Sequence, residues 1–161
     1  MKKMNKKGFT LIELLVVIAI IGLLSTLAVL ALNSARQKAR DAKRVADMQA
    51  LQTAMEMVSS EKGSYALTGG GNNCDGPTDY VSGCGSVTYL AAYLPSIGTL
   101  HDPSNSGTAF CKVDSGAVCD YAWGSDPDTQ TNAYTVYFYL EGATGSLLAG
   151  PNKLDEKGIH N

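Results

Sequence analysis

Positive charge is scarce over most of this 161-residue chain. From Gly63 to the end there are three lysines and no arginine against ten aspartates and glutamates, a net −7. A dedicated nucleic-acid surface needs clustered Lys and Arg, so this balance argues against one. Histidine is limited to His101 and His160, which are isolated in sequence, and no two cysteines stand in a CxxC pair. That weakens a metal reading, and the missing C-x-x-C-H speaks against c-type haem. No motif joins Ser, His and Asp into a triad, and the triple glycine at 69–71 lacks a phosphate-loop pattern. Proline is missing from residues 9–32, and neither Gly nor Pro interrupts 31–62, so nothing in that region breaks a helix.

What is present is concentrated at the N-terminus. Lys2, Lys3, Lys6 and Lys7 give the first eight residues +4, and residues 9–62 add +1, for a formal total of −2. From Phe9 to Leu32 the chain reads FTLIELLVVIAIIGLLSTLAVLAL, with Glu13 its one charge. A hydrocarbon core of about 30 Å takes about 20 helical residues, so this run is long enough to span it. The basic leader stays cytoplasmic and the remainder is sent outward. The run is too long for a secretory signal core, and Arg36, Lys38 and Arg40 follow it where a cleavage site would stand. An ionisable group within a span is costly, which singles out Glu13, five residues after Gly8.

Lys6-Lys7-Gly8-Phe9-Thr10-Leu11-Ile12-Glu13 resembles the class III signal of type IV prepilins and type II secretion pseudopilins. The likeness is dense over Lys6–Leu32 and continues loosely to Tyr65. It implies that a membrane aspartyl peptidase, the prepilin peptidase, removes residues 1–8 by cutting between Gly8 and Phe9, and that Phe9 becomes the methylated N-terminus. Glu13 is then the assembly carboxylate, pairing with the Phe9 amine of a neighbouring subunit and setting axial stagger; positions four apart on a helix also allow an internal pair. Many members of the family carry proline near the position of Leu30, where their helix melts locally in the filament. Here unwinding would rest on Gly22 and the Ser25-Thr26 pair.

The helical period continues past Asn33-Ser34. Ala35, Ala39, Ala42, Ala46, Leu51, Met55 and Val58 are assigned to one core-facing side, with Arg36, Arg40, Lys43, Arg44 and Asp47 mostly on the other, and Gly63-Ser64 supplies the stop. The expected helix therefore has a transmembrane half at 9–32 and an amphipathic half at 33–62, roughly 80 Å at 1.5 Å per residue. The basic cluster Arg36–Arg44 reads either as a solvated face near the phospholipid headgroups or as part of inter-subunit salt bridges.

Residues 63–161 form a Gly-, Asn-, Ser-, Thr- and Tyr-rich head. It has a loop at 68–88, a short helix at Tyr89–Leu94, β-prone segments at Thr108–Val113 and Ala117–Trp123, an alternating strand at Ala133–Glu141, and a possible last strand at Ser146–Ala149. The expected class is α+β, the type IV pilin fold: one long helix packed on a small antiparallel sheet. Pairing Val113 with Ala117 in a hairpin brings Cys111 opposite Cys119, and Cys74 with Cys84 follows by elimination, one of three possible connectivities. The eight tyrosines read as sheet and surface packing. No cofactor is expected, apart from calcium as in major pseudopilins, for which Asp102, Asp126 and Asp128, with Asp120, are the candidate ligands.

The resemblance implies a structural subunit rather than an enzyme. The first expectation is a type IV pilus filament of this chain, serving adhesion, twitching motility or DNA uptake; the alternative is the periplasmic piston of type II secretion. A membrane-anchored periplasmic enzyme or binding module with an uncleaved helix is the third. Partners are then further copies of itself, the prepilin peptidase, and an inner-membrane assembly platform with its ATPase. The subunit waits as a single-pass membrane protein before entering an extracellular pilus or a periplasmic pseudopilus.

Overall fold

A computed structural model describes residues 8–67, 80–86, 88–104, 109–124 and 132–161. The chain divides into two compact units, Met1–Arg36 and Gln37–Asn161. One helix, α1 (Leu11–Lys62), contributes to both. It stops where expected: Gly63 takes a left-handed φ of 70° and its N–H donates to the Ser59 carbonyl at 2.7 Å. A glycine in that conformation satisfies an orphan carbonyl without a Cβ penalty.

In the second unit α1 buries Asp41, Arg44, Met48, Leu51, Ala54, Met55 and Val58. This corrects the expected face, because Ala35, Ala39, Ala42 and Ala46 are all exposed. The five-residue step from Ala46 to Leu51 turns a helix by about 140°, so the alanines and the large apolar residues do not share a side. Met48, Leu51, Met55 and Val58 remove far more apolar area from water than four methyl groups can, and they set the rotation.

The remaining elements are a 3₁₀ turn at Val81–Ser86, α2 (Thr88–Tyr93), a 3₁₀ turn at Ile97–Thr99, and strands β1 (Ala122–Trp123), β2 (Thr135–Leu140), β3 (Gly150–Asp155) and β4 (Gly158–His160). The four strands form one antiparallel sheet in sequence order. β2 alternates as its sequence does: Val136, Phe138 and Leu140 are buried, and Thr135, Tyr137 and Tyr139 are half-buried. Those inward residues meet Met48, Leu51, Met55 and Val58 of α1, together with Tyr134 and Leu154, in one apolar core. The α+β arrangement of a long helix and a small antiparallel sheet is thus present. α2 lies within a residue of its expected span and is tied to the end of α1. Lys62 Nζ stands 4.4 Å over the Tyr89 ring, and the Tyr93 hydroxyl donates to Glu61.

Two expectations about the sheet change. Ser146–Ala149 forms no strand; Thr144 and Leu147 close a turn, and the sheet continues instead through β3 and β4. β3 carries Pro151, whose missing N–H argues against a strand in sequence. The proline is tolerated because β4 pairs only with Lys153–Asp155, which leaves β3 a single neighbour at Pro151. The second change is at the hairpin. Cys111 and Cys119 are joined by a disulfide with a Cα–Cα distance of 5.0 Å. The chain around them, however, makes a parallel bridge between Phe110 and Asp120 in place of an antiparallel ladder. Cys111 N–H donates to the Asp120 carbonyl at 2.9 Å and Asp120 N–H to the Ala109 carbonyl at 2.7 Å. Cys84 is buried and its sulfur accepts from Trp123 Nε1 at 3.0 Å; Cys74 lies outside the described residues.

Closing a loop across eight residues removes unfolded-state entropy worth about 2–3 kcal/mol. The double substitution Cys111→Ser, Cys119→Ser is expected to cost the head that amount in urea unfolding followed by the fluorescence of its one tryptophan, Trp123. An unchanged midpoint would show that this bridge does not stabilise the fold.

Candidate functional site

Gly8, Phe9 and Thr10 precede the helix, all exposed, with Phe9 at 90%. Among the described residues, no other part of the chain covers Phe9. Thr10 opens α1. Its Oγ1 and its backbone N–H both donate to Glu13 Oε2, at 2.7 and 2.8 Å, while Glu13 N–H donates back to Thr10 Oγ1 at 3.3 Å. This is the reciprocal bonding of a capping box, in which a Thr and a Glu three residues on satisfy each other's orphan donors. The T-x-x-E spacing was legible in sequence, but the apolar setting drew the reading of Glu13 towards assembly alone. Both bonds land on Oε2; Oε1 makes none among the described residues.

Beyond Glu13 the first unit is an apolar helix with no cover. From Leu14 to Leu32 every large apolar residue is between 49% and 68% exposed. By length and composition this stretch is able to cross a membrane. Its hydroxyls are satisfied internally: Ser25 Oγ donates to the Ile21 carbonyl at 2.7 Å and Thr26 Oγ1 to the Leu23 carbonyl at 2.8 Å. In the single chain the helix runs unbroken through Gly22 and Ser25.

The acidic residues proposed as calcium ligands divide. Asp126 and Asp128 lie outside the described residues. Asp102 is buried and committed to a cation of the chain itself: Arg44 Nε and Nη2 donate to its two oxygens at 2.6 and 3.0 Å. Arg44, with no exposed side-chain surface, also meets Asp41 and Glu141, each at 2.7 Å from Nη1. Burial pulls the Arg44 pKa down, but the bonds to Asp102, Glu141 and Asp41 outweigh it and hold the guanidinium charged. Arg40 adds a two-point contact to Glu141, at 2.7 and 2.5 Å. Asp120 serves structure too, accepting the N–H groups of Asp102 and Tyr121 and pairing with His101 Nδ1 at 2.7 Å. Ser82 Oγ meets that same Nδ1 at 3.4 Å, so Ser82, His101 and Asp120 lack the two-nitrogen relay of a triad. His160, isolated in sequence, bonds Asp155 at 2.7 Å. Sequence reasoning placed Arg44 on the solvent face, and no local pattern marks a buried arginine.

Arg44→Ala leaves the buried Asp41 and Asp102 without a cation, while Glu141 keeps Arg40, and is expected to cost about 3–5 kcal/mol in denaturant unfolding. Bonds from Arg40, then from Arg44, hold the Glu141 carboxyl down at about 2, against an ordinary 4.5. Its contribution is therefore complete above pH ~4.5 and is lost as pH falls towards 2. Glu141→Gln is expected to flatten the loss of stability over that window; an identical acid profile would remove Glu141 from the account.

Residues 3–29 match the family described as the prokaryotic N-terminal methylation motif. Over 68 residues the chain is 39% identical to type II secretion system core protein G of Aeromonas hydrophila, covering 42% of this chain and 48% of that protein. It is 40% identical over 69 residues to the protein of the same name from Vibrio cholerae, with 42% and 47% covered. A third, from Klebsiella michiganensis, is 38% identical over 68 residues, with 42% and 48% covered. The match thus spans about half the length of these curated relatives. No solved structure matches the chain. The segment holding Gly8, Phe9 and Glu13 therefore carries the prokaryotic N-terminal methylation motif, and the chain is similar over 68–69 residues to core protein G of type II secretion systems.

Proposed function

We propose that this chain is a filament-forming structural subunit of the type II secretion pseudopilin kind, assembled through its apolar helix after cleavage behind Gly8. The observation that supports it best is the likeness to core protein G, which at 68–69 residues reaches well past the stretch matched by the methylation motif. That likeness favours the secretion piston, first taken as the alternative, over the surface pilus. A type IV pilin is the second reading, and the Cys111–Cys119 bond is compatible with both, since disulfides persist in the periplasm and outside the cell alike. In both readings Phe9 is the methylated N-terminus and Glu13 the carboxylate that meets a neighbour's amine. The work is mechanical: the membrane stores subunits, and assembly replaces lipid by other copies around the exposed apolar helix.

Co-expression with a prepilin peptidase and an assembly platform tests this by intact mass and electron microscopy of separated membrane, periplasmic and sheared surface fractions. Processed chain confined to membrane and periplasm supports the piston, and surface fibres support the pilin. Gly8→Val is expected to leave full-length precursor, and mature-length protein from it would refute the cleavage position. Glu13→Ala is expected to be cleaved normally yet to form no filament; normal filaments would end the role given to this carboxylate.

A further inference from the structure

The cations of α1 fall into two groups. From Arg40 onward each has a carboxylate partner within the chain: Arg40 with Glu141, Lys43 with Asp47, Arg44 with Asp41, Asp102 and Glu141, and Lys62 with Glu61. Arg36 and Lys38, the first two after the apolar run, are exposed and have no ion pair among the described residues. Solvent contact alone does not account for this order, since Lys43 and Lys62 keep partners although they too are exposed.

Helix geometry supplies an account. A hydrocarbon core of about 30 Å is flanked on each side by roughly 5–7 Å of headgroup. Arg36 lies four residues past Leu32 and Lys38 six, about 6 and 9 Å along the axis. Arg36 therefore arises within the outer headgroup layer of a bilayer that holds residues 9–32 and Lys38 just beyond it, and both side chains are long enough to reach its phosphates. The same axis places Glu13 about 35 Å from Arg36, close to the full thickness of the hydrocarbon core.

We propose that Arg36, with Lys38, binds lipid phosphate on the outer leaflet and thereby sets the depth of the stored subunit. Glu13 then rests at the inner headgroup boundary rather than within hydrocarbon. This relieves the cost of a carboxylate in the span and presents Glu13 where a neighbour's amine arrives. The arginine fork makes two parallel bonds to a phosphate, and the lysine adds a point charge. The inference rests on the membrane-stored subunit of the proposed function and adds what fixes its level.

The test is solid-state NMR of the full mature chain, carrying ¹³C,¹⁵N-arginine and -lysine, in phosphatidylethanolamine–phosphatidylglycerol vesicles, with ³¹P dephasing as the readout. Of the three arginines, Arg36 is expected to be dephased by phosphate, while Arg40 and Arg44, held by carboxylates, are not. Arg36→Gln should remove the dephased guanidinium signal, and Lys38→Gln the dephased lysine signal. Absence of dephasing at any arginine, or dephasing that survives Arg36→Gln, overturns the proposal. Contact of Arg36 with carboxylate carbon of a differently labelled second copy, in place of phosphate, overturns it as well. Phosphate contact in a chain that never assembles would sustain this inference while refuting the filament. Filaments grown from a subunit that shows no phosphate contact would do the reverse.

Discussion

The head depends on one buried cation. Arg44 has no exposed side-chain surface, and its charge is tolerable only because three carboxylates meet it: Asp41 one helical turn back, Asp102 after α2, and Glu141 at the end of β2. Each comes from a different part of the chain, so the guanidinium fixes how two loops approach the helix. Asp41 strengthens the tie by also accepting the N–H groups of Glu141 and Gly142, at 3.0 and 2.9 Å. A buried ion cluster of this kind is weak evidence for net stability, because desolvation consumes much of the Coulombic gain. Its contribution here is selection of one rotation of α1. A rotation that turned Arg44 away would leave Asp102 buried without its cation.

The cluster also changes the meaning of the acidic head. Its net −7 suggests a negative surface, yet Asp102, Asp120 and Asp155 are buried, and Glu141 is largely covered by two arginines. For Asp155, burial works against the charge, while the Lys157 N–H and the bond from His160 prevail and lower its pKa. Much of the acidity is therefore structural, spent on holding loops that have little regular hydrogen bonding of their own. Asp120 is the fullest case, joining His101, Asp102 and Tyr121 where the disulfide-closed loop returns to the sheet.

What the sequence made legible follows from locality. The apolar run, the stop at Gly63 and the alternation of Tyr134, Val136, Phe138 and Leu140 are periodic or conformational signals contained in short windows, and all are seen. The face of α1 was not legible, because Ala46 and Leu51 both read as apolar while standing on opposite sides, and because burial of Arg44 depends on residues 58 and 97 positions away. β3 was hidden by Gly150, Pro151 and Asn152, which are poor strand formers carried by their pairing with β2. Cys111 and Cys119 were matched through an antiparallel hairpin that does not exist. The disulfide needs only Cα atoms within bonding reach, and a parallel bridge at Phe110 and Asp120 meets that requirement equally well.

At the candidate site the same distinction has a functional edge. A segment that passes from lipid into a filament must not exchange polar partners on the way, since each broken bond in an apolar medium is costly. The polar side chains described between Thr10 and Thr26 meet this condition. Ser25 and Thr26 bond to the turn behind them, and Thr10 and Glu13 bond to each other. What remains outward is nearly all hydrocarbon, which lipid tails and neighbouring helices cover alike. The exception is Glu13 Oε1. With Oε2 already neutralising the helix start, Oε1 is the one carboxylate oxygen of the span still able to accept a donor without breaking a bond first. In the filament proposed above, a neighbour's ammonium would be recognised by charge at no structural cost to the helix that receives it, and apolar surfaces that have no intrinsic register would acquire one.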